Sequence, residues 1–434
     1  MYVSVRAKFL LALLIATAWT TLSLWLARDW FLDLASHVGM PFAAFLIGGI
    51  AIVPGFMNAF LLAGLALDRR PARYPLASYP PLTVLIAAYN EAASIEDTLK
   101  SVGRQNYPGE LEVVVINDGS TDGTAAAVAR RLTESPWLRL LDIAKNAGKA
   151  NALNQGLKVT HHQLVVTLDA DSYLYRNALQ NLVERYLQDP SKTRAVAGTV
   201  LVRNSRTNWI TRAQEWDYFH GIAAIKRVQS LLQGTLVAQG AFSIYDRSTL
   251  EALGGWPAVV GEDIVLTWAI LKAGYRVGHC EDACVFTNAP ATLQQFIRQR
   301  QRWSRGMVEA FKQHGALLRQ AQLPTFFIYW NLLFPLLDLA FTIGFIPGLV
   351  LGLFGVYWIV GPMTLTLIPL GIAMNLLMYR IEEKMFDANG LTVRRNLRGF
   401  ITYVLAYSLL LQPACLLGYI SELRNAPKSW GTKQ

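Results

Sequence analysis

The sequence predicts an α/β domain inserted between α-helical transmembrane segments. Hydrophobic residues make up 53% of the 434 residues and charged residues only 16%, against about 25% charged residues in soluble domains. The apolar residues concentrate before Leu67 and after Leu323, and short β-branched runs alternate with amphipathic ones between them. These observations predict two N-terminal transmembrane helices (1–73), a cytosolic domain ending in an amphipathic juxtamembrane helix (74–323), and a C-terminal transmembrane bundle with a short tail (324–434).

Two apolar runs near the N-terminus, residues 9–27 and 41–67, are long enough to cross a bilayer, since a spanning helix takes about 20 residues. Residues 16–18 (Ala-Thr-Ala) have the form of a signal-peptidase site. The apolar run continues beyond them and a second span follows, which favours an uncleaved anchor. Basic residues flank both spans on the side of the central domain: Arg6, Lys8, Arg69, Arg70 and Arg73. By the positive-inside rule, the central domain is predicted to be cytosolic.

Three further apolar runs follow the domain, at residues 326–360, 362–379 and 400–420. Pro335 and Pro347 interrupt the first run, which predicts either a kinked span or an interfacial helix followed by a span. The loop before the last run carries basic residues that favour the cytosolic side: Arg380, Lys384, Arg394, Arg395 and Arg398. The sequence therefore predicts a multi-pass membrane protein, with the number of C-terminal spans left open.

Polar side chains inside these apolar runs are expected to face protein or water, because they are costly in lipid. They are Asn331, Asp338, Asn375 and Gln412. Two interpretations are about equally favoured, namely hydrogen bonds between packed helices and the lining of a conduit through the membrane.

The net charge of +10 is compatible with nucleic-acid binding, but no basic tract with interleaved aromatic residues occurs. Many basic residues instead flank apolar runs, as in residues 68–73, so contact with the lipid bilayer is favoured and no nucleic-acid partner is predicted. Among the cysteines, Cys280 and Cys284 have a zinc-like spacing without a second Cys or His pair, which favours a buried structural role. Cys415 lies in an apolar run, and no disulfide framework is expected.

Residues 82–88, 112–116, 138–143 and 164–168 read as buried strands, each followed by a helical segment. This alternation predicts a parallel, doubly wound sheet. Ligands of such sheets bind beyond the carboxyl ends of the strands, so the polar residues at those ends are the candidates for a site.

Three of the predicted strands end in polar residues: Tyr89, Asn90 and Glu91; Asn117 and Asp118; Asp169 and Asp171. Taken singly, each group is explained as well by a turn or a helix cap. Asp169 and Asp171 are two residues apart, so both carboxylates can face one ligand. Two oxygen donors beside a diphosphate suit Mg²⁺ or Mn²⁺, and Lys145 and Lys149 could meet the same phosphates.

Two later motifs add groups that could act on a bound substrate. Glu262 and Asp263 follow Gly261 at a predicted helix start, where a carboxylate could accept a proton from a hydroxyl or merely cap the helix. Residues 299–303 (Gln-Arg-Gln-Arg-Trp) lie in an amphipathic helix before the membrane. Arginine can bind phosphate oxygens and tryptophan offers a flat face, although an Arg/Trp membrane anchor is the alternative.

In this order, Asp118, Asp169-Ala170-Asp171, Glu262-Asp263 and residues 299–303 resemble the motifs of the processive members of glycosyltransferase family 2. That group includes cellulose, chitin, hyaluronan and poly-N-acetylglucosamine synthases, and the resemblance covers most of the chain. It implies a nucleotide-sugar-binding, GT-A-like fold for the domain, on the cytoplasmic side of a bacterial inner membrane. One departure is Gly261, where the family usually has Thr, and it leaves both carboxylates in place.

The resemblance implies a role for each matching residue. Ala88, Tyr89, Glu91 and Asp118 would hold the uridine, and Lys149 would lie near the uracil or the diphosphate. Asp169 and Asp171 would serve the nucleotide and a Mg²⁺ or Mn²⁺ ion, with Asp171 as the direct ligand, and Asp263 beside Glu262 would be the general base. Gln299, Arg302 and Trp303 would bind the diphosphate and the acceptor sugar, and Gly240, Ala241, Phe242 and Ser243 would shape the acceptor pocket.

Within the family, residues 411–422 and 428–433 look most like the poly-β-1,6-N-acetylglucosamine synthases, which make biofilm matrix and work with a small membrane partner subunit. The implied partners are a UDP-sugar, the growing polysaccharide, the lipid bilayer and such a subunit. The alternatives are another polymer of the same family, a non-processive transferase that adds one sugar to a lipid carrier, and a transport or scaffold protein. The motif at residues 299–303 disfavours the non-processive transferase, and the intact carboxylate set disfavours the scaffold.

Overall fold

The computed structural model describes residues 3–71, 73–388, 390–391 and 395–427, with the backbone alone at 362–363, 365–368, 385 and 388. Arg394 and residues 428–433, on which two of the predictions rest, lie outside the described residues.

In the described part of the chain, eight strands form one mixed sheet in the order β3-β2-β1-β4-β7-β6-β8-β5. The strands are β1 (Leu82–Ala88), β2 (Leu111–Asp118), β3 (Leu138–Ile143), β4 (Leu164–Leu168), β5 (Ser172–Leu174), β6 (Thr193–Val202), β7 (Phe242–Asp246) and β8 (Arg276–Thr287). The four strands predicted from the sequence are β1 to β4, and they pair in parallel as expected.

The prediction of a wholly parallel sheet is wrong for the other half, in which β6 and β8 still pair in parallel but the remaining neighbours do not. Strand β7 runs antiparallel to both β4 and β6, and β5 runs antiparallel to β8. The direction of β7 follows from where it begins, because Phe242 pairs with Leu168 at the end of β4. The backbone N–H of Asp169 also donates to the carbonyl of Ala241. The chain therefore enters β7 at the edge where β4 ends and must run back along it.

Helices connect the strands and flank the domain. They are α1 (Val5–Leu26), α2 (Arg28–Val38), α3 (Met40–Ile47), α4 (Val53–Leu67), α5 (Ile95–Gly103), α6 (Thr124–Leu132), α7 (Lys149–Val159), α8 (Ala178–Gln188), α9 (Trp209–Trp216), α10 (Ile225–Leu231), α11 (Arg247–Ala252), α12 (Glu262–Lys272), α13 (Leu293–His314), α14 (Leu323–Ala340), α15 (Ile346–Leu353), α16 (Pro362–Ala388), α17 (Leu397–Thr402) and α18 (Ser408–Leu423). π-helical turns at Gly48–Ile52, Asp217–Ala224, Phe341–Phe345 and Tyr403–Tyr407 link helices that follow one another, and Gly315–Arg319 is a 3₁₀ turn.

One hydrophobic core joins the sheet to the membrane helices. Alternate side chains of a strand point to opposite faces of the sheet. Leu85 of β1 lies on the face that packs with Trp268 of α12, Phe60 of α4 and Phe327 of α14, and all four side chains are fully buried. The sheet therefore packs directly on the apolar helices that precede and follow the domain.

In the described residues, four helical stretches are long and apolar enough to cross a membrane: Val5–Leu26, Met40–Leu67, Leu323–Leu353 and Leu397–Leu423. They coincide with the predicted runs at 9–27, 41–67, 326–360 and 400–420. The third continues through both prolines with a π-helical turn between them, which agrees with one kinked span. Residues 362–379 are helical within α16, and their crossing of the membrane stays a prediction.

Two arginines that the sequence assigned to lipid contact are engaged inside the protein instead. Arg70 pairs with Asp68 at 3.2 Å and donates to the carbonyls of Arg227 and His279. Arg73 pairs with Asp282 on β8, and both arginine side chains are only 13% exposed. The prediction is wrong for these two because neighbouring carboxylates and carbonyls satisfy their guanidinium groups. They tie the end of α4 to the sheet.

Two of the polar residues in the apolar runs take part in helix contacts. The Tyr419 hydroxyl donates to Asp338 Oδ2 at 2.9 Å, which joins α18 to α14. Asn375 Nδ2 donates to the carbonyl of Gly371 one turn earlier. The Tyr419–Asp338 bond supports the interpretation as helix packing at Asp338. The bond of Asn375 stays within α16 and does not distinguish the two interpretations.

Candidate active site

The loops after β1 and β2 hold each other in place. Asn90 has a left-handed backbone (φ 56°), and its N–H donates to Ser120 Oγ. In return, the N–H of Thr121 donates to Asn90 Oδ1, and the N–H of Glu91 donates to Thr124 Oγ1. Because the two strands are parallel neighbours, these contacts gather the residues predicted to hold a nucleotide, with Ala88 paired opposite Asn117.

Asp118 fixes the loop that leads to Lys149. Its two carboxylate oxygens accept the backbone N–H groups of Ala147 at 3.0 Å and Gly148 at 2.8 Å, and the residue is fully buried. Gly119 permits this approach, because its φ is 66° and a Cβ there would lie 2.5 Å from the backbone nitrogen of Asn146. In the structure Asp118 therefore holds the loop that positions Lys149.

Lys149 is an ionic bridge between two of the predicted motifs. Its Nζ lies 2.6 Å from Asp169 Oδ1 and 3.5 Å from Glu262 Oε1. Burial alone would lower the pKa of Lys149, but Asp169, Glu262 and Asp263 outweigh it and the pKa is raised. Burial also raises the pKa of Glu262 to about 7, with Lys149 acting against it and Asp263 adding to it. The end of β4 and the start of α12 thus form one charged cluster.

Asp263 lies beside this cluster with both oxygens oriented by the backbone. Its Oδ2 accepts the N–H of Gly240 at 3.3 Å, and its Oδ1 accepts the N–H of Ile264 at 2.8 Å. Lys226 on α10 is buried close by, and burial lowers its pKa to about 7, against the effect of the Asp263 carboxylate. A buried lysine near Asp263 was not evident from the sequence, where Lys226 stands in no recognisable motif.

The four residues predicted to shape an acceptor pocket divide into two pairs. Gly240 touches the cluster, since a Cβ there would lie 2.6 Å from Lys149 Nζ, and Ala241 bonds the backbone of Asp169. Phe242 and Ser243 are fully buried within β7. The Ser243 hydroxyl donates to the carbonyl of Gln239 at 2.8 Å.

Tyr218 packs near Trp303 of the helix that carries the Gln-Arg-Gln-Arg-Trp motif, and its electrostatic environment includes Asp171. Asp171 Oδ1 accepts the Thr287 hydroxyl at 3.3 Å, which places it at the end of β8. Burial raises the pKa of Tyr218, and Asp171 adds to this effect, whereas Arg300 and a hydrogen bond with Gln299 oppose it. Tyr218 also lies with its ring centroid 6.1 Å from that of Trp303. Tyr218 was not predicted as a site residue, because it lies in a π-helical turn outside every motif.

Arg300, rather than Arg302, supports the face of Trp303. Its guanidinium carbon lies 4.2 Å from the Trp303 ring centroid. The same group pairs with Asp217 Oδ2 at 2.8 Å and donates to the Tyr407 hydroxyl at 2.8 Å. The side chain is 5% exposed. The charge of Arg302 instead acts on Glu262, where it opposes the rise in the pKa of that carboxyl. The two arginines therefore face different parts of the site.

The close approach of two glycines explains why residue 261 departs from the family pattern. A Cβ on Gly261 would lie 2.4 Å from the Cα of Gly306 on α13. Gly306 is a backbone neighbour that cannot rotate away, so threonine does not fit here. The N–H of Gly261 also donates to Glu309 Oε2 at 2.9 Å. This contact brings the carboxylates of α12 against α13.

We expect Gly261→Ala to destabilise the protein by about 1–3 kcal/mol, as is usual for overpacking, and to reduce the activity of the site by separating α12 from α13. Thermal unfolding of the purified chain in detergent measures the loss. Gly315→Ala is the matched control, because a Cβ at Gly315 meets nothing within 4 Å. An unchanged melting temperature for Gly261→Ala would contradict the close packing.

The residues present fit a divalent cation only together with other ligands. No group of three or more His, Cys, Asp or Glu side chains that could hold a metal occurs among the described residues. Asp169 and Asp171 offer two carboxylates at one sheet edge, and the Asp169 side chain is 32% exposed. Mg²⁺ commonly binds through one or two carboxylates and takes its remaining ligands from phosphates and water. The pair suits a cation that arrives with a diphosphate.

Residues 83–254 match the family model Glycosyl transferase family 2, so the chain carries a domain of that family. The poly-beta-1,6-N-acetyl-D-glucosamine synthase of Staphylococcus aureus (strain COL) is 33% identical over 264 residues, which are 58% of this chain and 63% of that protein. The synthase of the same name from Staphylococcus epidermidis is 33% identical over 226 residues, 52% of this chain and 54% of that protein. The chain therefore spans less than two thirds of the length of these relatives.

A solved mannosyltransferase from Pyrobaculum calidifontis, in complex with GDP-Man and Mn²⁺, superposes with a TM-score of 0.60 at 23% identity. The match covers 89% of this chain and 98% of that one. The fold is therefore GT-A-like, with a mixed sheet flanked by apolar helices, as the resemblance implied.

Proposed function

We propose that the chain is a membrane-embedded, inverting glycosyltransferase that polymerises N-acetylglucosamine from UDP-N-acetylglucosamine into a β-1,6-linked polysaccharide. The observation that carries the proposal is the gathering of Lys149, Asp169, Glu262 and Asp263 at one sheet edge beside α13. The identity with the two staphylococcal synthases supports the choice of sugar and linkage. The catalytic domain faces the cytoplasm of a bacterial inner membrane, and a small membrane subunit completes the assembly.

The proposed reaction is a single displacement at the anomeric carbon. The acceptor hydroxyl oxygen forms a bond to C1 while the bond from C1 to the diphosphate oxygen breaks, and that electron pair leaves on UDP. Asp263 takes the hydroxyl proton, a step for which its two backbone hydrogen bonds hold the carboxylate in place. Trp303, supported from one side by Arg300, is 38% exposed and offers a ring face to the acceptor sugar.

Asp171 and Asp169 would hold Mg²⁺ or Mn²⁺. The bound ion would neutralise the negative charge on the departing diphosphate. Lys149, already between Asp169 and Glu262, holds a positive charge at the same place. Arg302 adds a second cation near Glu262. Both cations stand among carboxylates, and a diphosphate that binds here would add its own negative charge, which is the charge that a metal ion would offset.

The test is the product made from radiolabelled UDP-N-acetylglucosamine by membranes that carry the full chain. We expect long chains that resist β-1,4-specific hydrolysis and yield to a β-1,6-specific glycosidase, and we expect EDTA to stop synthesis until Mn²⁺ or Mg²⁺ is restored. A single added sugar on a lipid carrier would instead establish the non-processive transferase. Incorporation of another UDP-sugar alone would overturn the choice of donor, and absence of any metal-dependent UDP release would overturn the enzyme assignment.

A further inference from the structure

A cavity of about 630 Å³ lies far from the candidate active site. Arg276, in its wall, begins β8, and the opposite end of the same strand, Thr287, contacts Asp171. The first turns of α1 and α14 close the cavity on the other side, through residues that include Phe9 and Leu323. The cavity therefore sits between the rear edge of the sheet and the domain-side ends of two candidate membrane spans.

The charged side chains in the cavity wall are all cationic. They are Arg6 of α1, Lys192 before β6 and Arg276 of β8. All twelve lining residues are described, and none of them is acidic. Arg6 and Lys192 are exposed on the surface of the protein. Three positive charges around one cavity favour an anionic ligand with several oxygen acceptors, such as a phosphate group.

The membrane-facing wall of the same cavity is aromatic. Phe9 of α1 and Phe326 of α14 pack edge to face, with ring centroids 5.3 Å apart. Both belong to stretches that are long and apolar enough to cross a membrane. Such a wall, at the start of two spans, lies at the level where lipid headgroups meet acyl chains. Phe9 and Phe326 also pack against the core, and both rings remain partly accessible. A soluble phosphate would contact only the cationic wall, whereas a phospholipid would contact both walls.

We propose that this cavity binds the phosphate headgroup of an anionic phospholipid from the leaflet on the side of the catalytic domain. The phosphate lies among Arg6, Lys192 and Arg276, and the glycerol and upper acyl chains lie against Phe9 and Phe326. The bound lipid joins α1 and α14 to the rear edge of the sheet. The proposal concerns residues outside the candidate active site and does not depend on the sugar that the protein transfers.

The test is native mass spectrometry of the full chain in detergent, titrated with phosphatidylglycerol or with phosphatidylcholine of the same acyl chains. We expect the wild type to keep one phosphatidylglycerol molecule in clear preference to phosphatidylcholine. Arg6→Gln/Lys192→Gln should weaken that binding roughly 10- to 30-fold, because each basic side chain near a membrane surface contributes about 1 kcal/mol. Both residues are exposed, so the variant is expected to fold.

Lys158→Gln/Arg319→Gln is the control, because it removes the same charge from exposed positions that do not line the cavity. Equal binding of phosphatidylglycerol by Arg6→Gln/Lys192→Gln and by wild type would overturn the proposal, as would equal binding of the two lipids by wild type. Displacement of the lipid by millimolar glycerol 3-phosphate would show that the site takes a soluble phosphate and would overturn the choice of a lipid. If Lys158→Gln/Arg319→Gln lost phosphatidylglycerol binding to the same extent, the loss would follow from the change in net charge. That result would overturn the proposal that the lipid binds in this cavity.

Discussion

Asp263→Asn is expected to abolish polymer formation, with a loss of about 100- to 10,000-fold in rate, because the amide cannot accept the proton of the attacking hydroxyl. The substitution should leave the fold intact. The amide oxygen of asparagine can still accept the N–H of Gly240 or Ile264, as the carboxylate does. Initial rates of labelled sugar incorporation, measured alongside UDP binding by calorimetry, separate the chemical step from donor binding.

Glu251→Gln is the matched control for this experiment, because Glu251 is a half-exposed carboxylate that pairs only with Arg247 on the same helix among the ion pairs of the described residues. It should polymerise at the wild-type rate. If the Asp263→Asn protein still polymerises at a comparable rate, the base is another group. If it loses UDP binding as well, Asp263 serves the donor and not the proton transfer.

Arg300→Met is expected to destabilise the protein by about 3–5 kcal/mol, the usual effect of removing one partner from a buried ion pair. Asp217 would then remain buried without its cation, and the Tyr407 hydroxyl would lose the guanidinium that donates to it. Thermal unfolding in detergent measures the change. Sugar incorporation at low temperature, where the variant is still folded, should also fall, because Arg300 no longer supports the Trp303 ring.

Two further variants isolate the buried charge as the cause. Asp217→Asn/Arg300→Met removes both charges and should recover part of the lost stability. Arg203→Gln breaks the exposed pair with Asp97, in which both side chains are more than 40% exposed, and should change stability by less than about 1 kcal/mol. A loss for Arg300→Met no larger than for Arg203→Gln would show that the Asp217 pair does not hold α13 in place.

The sequence predicted the first half of the sheet well because each of those strands is a short β-branched run with a clear end. The predicted strand 82–88 coincides with β1, and the predicted 164–168 with β4. Strands β5 to β8 were not predicted. Strand β7 is antiparallel because it starts where β4 ends, a relation between positions more than 70 residues apart that no local pattern encodes.

The residues of the candidate site also fall into those that the sequence predicted and those that it did not. Carboxylates at strand ends and at the start of α12 were evident from the sequence, and the structure places Asp169, Glu262 and Asp263 around Lys149. The roles of Tyr218 and Arg300 depend on the packing of α13 against the π-helical turn at Asp217–Ala224. Asp118 illustrates a different limit, because its position was predicted while its bonds to Ala147 and Gly148 follow from the conformation of a loop.

The proposed function requires these separated acidic residues to form one site for a nucleotide-sugar. The most direct measurement is a structure of the full chain in lipid nanodiscs with UDP and Mn²⁺. We expect the uracil at the ends of β1 and β2, a cation bound by Asp171, and the diphosphate within reach of Lys149. A nucleotide bound away from that sheet edge, or a cation that contacts neither Asp169 nor Asp171, would contradict it.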